Sequence, residues 1–351
     1  MKSDIVIVGG GIIGLYSAYL LALRGIKSTL IDKGDFGKES TWAAGGILTP
    51  LLPWDYSEKI LFLTRNASGI YQNLAAKLLQ DTNYDIEHWV CGLTVFSNKT
   101  AQIKDWCNQN NVHYKKENNH LSQVHLTDIA QIRTPILIKA LIKQLENLGV
   151  TLLNNTSVTQ CCIEHNKIIG IETSTGLINT SKLIWATGAW ASKISPVNVQ
   201  LCTPVIEPIK GQMIALENCP VQLSSILFKN GHYLIPRKDG LILAGSTLEN
   251  VGFVNSVTDL AKETLWKRSV DMMPELATSN ITHHWAGLRP GSKDNIPTIG
   301  PHPDIEGLFY NIGHFRYGIA MAPKSCEILT KWIINDGRDL SEQEKFYSRF
   351  N

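Results

Sequence analysis

The chain has 351 residues, 44% hydrophobic and 18% charged, with a formal net charge of +2. That length predicts two domains, or one with an inserted lobe, and the composition excludes long disorder. The near-neutral charge removes the electrostatic case for nucleic acid as an obligatory partner, while weak contact with a membrane surface stays open. Seven cysteines, an odd number without a C-x-x-C pair, speak against a disulfide framework and against zinc, so reduced thiols and no metal are expected.

Ile5 to Val8 is a continuous β-branched run, the pattern of a strand buried on both faces of a parallel sheet. Gly9-x-Gly11-x-x-Gly14 follows. The first glycine permits a tight turn, the second lets backbone approach a pyrophosphate, and the third lets the next helix pack on the strand. That helix is predicted from Ile12 to Leu23, with Gly25 as its C-terminal cap. A second apolar run, Ser28 to Ile31, ends in Asp32, where an acidic side chain can accept hydrogen bonds from ribose hydroxyls. Strand, glycines, helix, strand and acid in this order point to nucleotide binding, and Asp32 favours an unphosphorylated ribose.

Gly34 to Thr41 is rich in turn residues, and Trp42 to Pro50 in small ones, which either pack a helix closely or let a cofactor lie against backbone. Ser40 and Thr41 are potential hydroxyl donors to phosphate. Glu58 to Leu79 predicts a helix or helix pair, Tyr84 to Phe96 short strands, and Ala101 to Asn110 a short helix. Asn111 to Gln131 carries no clear pattern. Its His113, His120 and His125 lack metal-ligand spacing and read as solvated surface.

Thr134-Pro135 opens a helix from Ile136 to Leu148, followed by strands at Val150 to Leu153 and Ser157 to Ile163 and a hairpin at Ile168 to Ile178. Lys182 to Trp190 is a buried strand ending in Ala186-Thr187-Gly188, again the form of a strand end that touches a nucleotide. Period-two runs at Ile206 to Leu216, Tyr233 to Pro236 and Leu241 to Ser246 predict a mostly antiparallel second domain. Helices are expected at Ala261 to Met272 and Pro323 to Ile334.

Arg289 and Arg316 stand among glycines and aromatics, a setting for binding an anion or carboxylate; the alternative is an internal ion pair. Tyr233 is either a hydroxyl donor to a ligand or a core tyrosine.

Taken with Lys210-Gly211-Gln212, Tyr233 to Lys238, Trp285 to Gly291 and Gly313 to Ile319, this ordered series resembles the D-amino-acid-oxidase-like FAD-dependent amine oxidases. Within them it is most similar to the bacterial glycine oxidases of thiamine biosynthesis. The resemblance implies a Rossmann-like, α/β FAD-binding domain (residues 1–80, 135–200 and 295–351) with an inserted, mostly antiparallel substrate-binding domain (81–134 and 201–294). It implies that FAD is held by Gly9, Gly11, Ile12, Ile13, Gly14, Asp32, Lys33, Ser40, Thr41, Gly45, Gly46, Ile47, Val158, Ala186, Thr187 and Gly188. His314, Phe315, Arg316, Tyr317, Gly318, Ile319 and Ala320 would close over the flavin. Arg289 becomes the carboxylate clamp, with Tyr233 as its hydroxyl partner and Arg316 nearby. Noncovalent FAD is expected, because Pro290 to Phe315 contains no cysteine. The sequence departs from the family pattern at Gly231, His232 and Tyr317.

The activity implied is oxidation of glycine or a small D-amino acid or secondary amine by hydride transfer to flavin N5, with hydrogen peroxide formed from oxygen. A D-amino-acid dehydrogenase passing electrons to a membrane quinone is the alternative, and a tRNA-modifying or non-catalytic flavoprotein a further one. Homo-oligomers remain open. No apolar run approaches the roughly 20 residues that span a bilayer. The opening residues lead straight into a strand, so a cytoplasmic location is expected, with contact at the inner face of the membrane left open.

Overall fold

A computed structural model describes residues 1–115, 122–193 and 204–350. His120 and Cys202 lie outside the described residues. A six-stranded sheet runs in the order Thr298–Pro301, Leu308–Ile312, Leu183–Trp185, Ile5–Val8, Ser28–Ile31, Thr151–Leu153, parallel except at the first strand. Ile5–Val8, buried on both faces, is central, so its glycine-rich end opens at the middle of the sheet's edge.

One face of this sheet is covered by helices Ile12–Ala22, Thr134–Asn147 and Gly318–Asn335, which share a core with Ala67–Thr82. The first helix is apolar almost all round, as a helix enclosed by others must be. The opposite face packs on a three-stranded antiparallel sheet, Val158–Glu164, Lys167–Thr173 and Gly176–Asn179.

A second, eight-stranded sheet follows the order Asn280–Gly291, Glu207–Glu217, Ile242–Gly245, His232–Pro236, Ile226–Lys229, Leu93–Phe96, Gln123–Leu126, Tyr114–Lys115. It is antiparallel apart from the pairing of Ile226–Lys229 with Leu93–Phe96. Helix Asp259–Met272 covers one face; the other holds Met213, Tyr233 and Ile235 and meets Ile47, Leu51 and Leu52 from the nucleotide side. This is the α/β fold with an added antiparallel sheet expected from the sequence.

Most predicted elements stand within a few residues of their expected bounds. The run Glu58 to Leu79 is a helix pair, Glu58–Thr64 and Ala67–Thr82, broken where Asn66 takes a left-handed φ of 59°. Two expectations need correction. The stretch Asn111 to Gln131 contains paired strands. In Gln123–Leu126 the buried Val124 and Leu126 alternate with half-buried Gln123 and His125, and His125 bonds Thr94 (3.0 Å) inside the sheet. His113, paired with Asp128 at 2.6 Å, is the exposed histidine among the described residues of this stretch.

The last long helix begins at Gly318, so Pro323 lies inside it. Proline has no N–H to give the carbonyl four residues back. That carbonyl, of Ile319, instead accepts a 2.8 Å hydrogen bond from the Tyr71 hydroxyl. A partner from another helix thus makes the proline tolerable.

Candidate active site

A cleft of about 350 Å³ runs from the glycine-rich turn to the face of the second sheet. At its nucleotide end Gly9 has φ +110°, and a Cβ there would come 2.3 Å from the Ala186 carbonyl oxygen. A Cβ on Gly14 would lie 1.8 Å from the Gly9 oxygen, so Gly14 packs helix on turn and does not line the cleft. Gly11, Ile12 and Ile13 do line it, where the first helix has no side-chain cap. The Ile12 N–H donates to Thr41 Oγ1 at 2.9 Å.

Asp32 accepts from the Gly10 N–H (2.7 Å) and the Gly34 N–H (2.9 Å) while bordering the cleft. Burial raises its pKa, against the lowering effect of those two N–H groups. Lys33 lies 3.8 Å over the Trp190 ring, and both face the cleft. Val158, Ala186, Thr187 and Gly188 complete this end. Thr187 Oγ1 is buried without a hydrogen-bond partner among the described residues.

The middle of the cleft is Ser40 to Ile47. Ser40 donates to the Leu288 carbonyl, joining this segment to the second sheet. Gly46 has φ +75°, and a Cβ there would meet the Ile132 oxygen at 2.0 Å. Arg237, deeply buried, donates to the Gly45 carbonyl at 3.0 Å, to Gln131 at 2.6 Å and to the Ile132 carbonyl at 3.1 Å. Burial lowers its pKa to about 10. The backbone of this small-residue segment is therefore fixed from behind by a cation.

His314, Phe315, Arg316, Tyr317, Gly318 and Ile319 form the opposite wall, whereas Ala320 is buried in the helix away from the cleft. Burial lowers the His314 pKa to about 3, so the ring is neutral, and it bonds Ser325 at 3.2 Å. Tyr317 donates to the hydroxyl of Tyr56, and the two rings meet edge-on at 5.1 Å.

At the far end Arg289 Nη1 donates to the carbonyls of Lys210 (3.4 Å) and Thr247 (3.2 Å), and Nη2 to Ser246 Oγ (2.8 Å). Its pKa is lowered by burial and by the like charge of Arg316, and supported by the Tyr233 hydroxyl. Tyr233 also donates to Met213 Sδ at 3.6 Å. Among the described residues the arginine ion pairs involve Arg65, Arg133, Arg338 and Arg349, never Arg289 or Arg316. Among the described residues, then, neither Arg289 nor Arg316 has an acidic partner.

Sequence reasoning missed Tyr56, Met213, Phe228 and Ser246, which line the cleft, and Arg237 behind it. Of these, Ser246 ends a predicted strand and Arg237 lies within Tyr233 to Lys238, but nothing local in the sequence marks their partners.

The residues fit FAD on the structure's own terms. The glycine turn leaves backbone bare at the start of the first helix, Thr187 Oγ1 is buried without a partner among the described residues, and Gly45 and Gly46 line the middle of the cleft without side chains. Residues 4–332 match the family described as DAO, FAD dependent oxidoreductase. Glycine oxidase of Pseudomonas aeruginosa is 36% identical over 345 residues, covering 94% of each chain. The bifunctional protein ThiO/ThiG of Trichormus variabilis is 30% identical, with all of this chain matched to 55% of that protein. The crystal structure of glycine oxidase from Bacillus cereus superimposes with a TM-score of 0.88 at 26% identity, over 100% of this chain and 99% of that one. The chain belongs to the DAO family of FAD-dependent oxidoreductases and is a glycine oxidase-like amine or amino-acid oxidoreductase.

Proposed function

We propose that the protein oxidises glycine or another small amino acid or secondary amine, with noncovalently held FAD. The observation that carries this reading is Arg289, without an acidic partner among the described residues, beside Tyr233 and Arg316 in the same cleft as the glycine fingerprint. A planar guanidinium matches a carboxylate with two parallel N–H bonds, so Arg289 would bind the substrate carboxylate and Tyr233 would add its hydroxyl. Arg316 contributes a second positive charge. Met213, Phe228, Leu51 and Leu52 border the same space and would keep water from the reacting carbon.

Burial makes the His314 ring a weak base and Ser325 holds it, so it is not poised to remove a proton. The protein's part is orientation: the carboxylate is held, the amine sheds its proton to solvent, and the Cα–H is presented in one direction. FAD, when bound, supplies the two-electron acceptor for the hydride that leaves Cα. With oxygen as final acceptor, glycine, O2 and water give glyoxylate, ammonia and hydrogen peroxide.

An aerobic assay of the holoenzyme with glycine, sarcosine and D-alanine tests this. The expected result is equimolar peroxide and 2-oxo acid from at least one of them. Turnover without peroxide would reassign the electrons to an acceptor such as a quinone, and no turnover with any acceptor would refute the reading.

A further inference from the structure

Main chain bounds Arg289 on one side. In the antiparallel pair of Glu207–Glu217 with Asn280–Gly291, Arg289 stands opposite Ile209 and Gly287 opposite Gly211. The arginine side chain therefore crosses diagonally to reach Gly211, a neighbour within range of a long side chain. A Cβ placed on Gly211 would lie 2.2 Å from both Nη1 and Nη2 and 2.4 Å from Cζ. Such even approach to three atoms of the plane means that the guanidinium lies face-on against Gly211.

Three N–H bonds then hold the plane there, to the Lys210 and Thr247 carbonyls and to Ser246. Thr247 is itself anchored: its Oγ1 accepts from the Gln212 N–H at 2.8 Å and donates to Glu249, whose carboxylate pairs with the buried Lys210 at 2.9 Å. Gly211 does not have the positive φ that would itself call for glycine. Glycine inside a strand weakens it and often marks a place where another group comes close. Here the group is the guanidinium.

We propose that Gly211 is a positioning residue for carboxylate recognition, its bare backbone setting the depth and plane of the Arg289 guanidinium. This rests on the reading that Arg289 binds the substrate carboxylate. A methyl group at Gly211 lifts the guanidinium by on the order of 1 Å, which spoils the distance and angle of the N–H bonds it would give to a bound carboxylate. The shift moves the carboxylate anchor while leaving the FAD contacts in place.

The test is a cycle of Gly211→Ala, Arg289→Lys and the double variant as holoenzymes. Glycine kinetics are measured together with the binding of acetate, a carboxylate without an amine, read from flavin absorbance. Gly211→Ala should raise the glycine KM and the acetate Kd by roughly 10- to 100-fold with a smaller change in kcat. In the Arg289→Lys background, where no guanidinium plane remains to be displaced, Gly211→Ala should add little. Unchanged KM and Kd in Gly211→Ala, or additive effects in the cycle, overturn the inference. Unchanged affinities in Arg289→Lys overturn the reading beneath it. If Gly211→Ala does not yield holoenzyme, recovery of FAD-bound protein in the double variant supports the contact, and continued failure contradicts it.

Discussion

Burial and the neighbouring Arg316 both work against the charge on Arg289, which takes only neutral acceptors from the described protein. A cation kept under these conditions gains its counter-charge when a carboxylate binds. Truncating one side of a buried, hydrogen-bonded charge pair costs about 2–5 kcal/mol. Arg289→Met should therefore lower kcat/KM for glycine by roughly 10²-fold or more, mainly through KM, with FAD still bound. Steady-state kinetics beside a flavin spectrum check both halves. His314 makes the opposite kind of prediction. Its ring is already neutral above about pH 3, so it contributes no inflection to the rate profile near neutrality. A glycine kcat/KM profile in which His314→Gln removes an inflection between pH 6 and 8 would contradict that, taking roughly 6.5 as an ordinary histidine.

Among the elements, the start of the last long helix carries the clearest test. Gly318 and Ile319 border the cleft, and the helix can include Pro323 because Tyr71 supplies the missing donor to Ile319. Tyr71→Phe leaves a buried carbonyl unsatisfied, at about 1–3 kcal/mol. The expected outcome is a lower melting temperature together with weaker FAD retention, measured by thermal denaturation and by flavin release on dilution. This helix also illustrates why parts of the fold were hard to read. Its proline looked like a first-turn residue, because the compensating hydroxyl sits in a helix more than 240 residues away. Gln123–Leu126 was hidden for a different reason: its alternation lasts only four residues, too short a run to stand out, and the bond of His125 reaches Thr94 on a strand 31 residues away. The strand, glycine turn and helix at Ile5 to Ala22 were legible because each of their constraints is local. Ser246 and Gly211 were not legible as supports of Arg289, since that relation exists only through the register of strands distant in the chain.

In the whole molecule, the two sheets contribute opposite ends of one cleft, and Ser40, Arg237 and Trp285 tie the second sheet to the Ser40 to Gly45 segment through backbone carbonyls. Among the described residues no helix is long and apolar enough to cross a membrane. The C-terminal turn is fixed by Glu344, which accepts from Lys324 and Lys331 at 2.9 Å each and closes a capping box with Ser341. Burial would raise its pKa, but the bonds from Lys331, the Ser341 N–H and Lys324 outweigh it and hold the carboxyl at about 2 against 4.5. A folded pKa below the unfolded one gives stability that is complete above the unfolded value and lost as pH falls toward the folded one. Glu344→Gln should thus lower the melting temperature at pH 7, and the difference from the unmodified protein should shrink below pH 4.5 as it falls toward 2. The central claim is that this cleft brings a small amino acid carboxylate-first against bound FAD. Anaerobic mixing of the holoenzyme with glycine, sarcosine or D-alanine tests it most directly. The account predicts bleaching of the oxidised flavin absorbance by at least one of them, at a rate that saturates with substrate and fails to saturate in Arg289→Met; a flavin left fully oxidised by all three would contradict it.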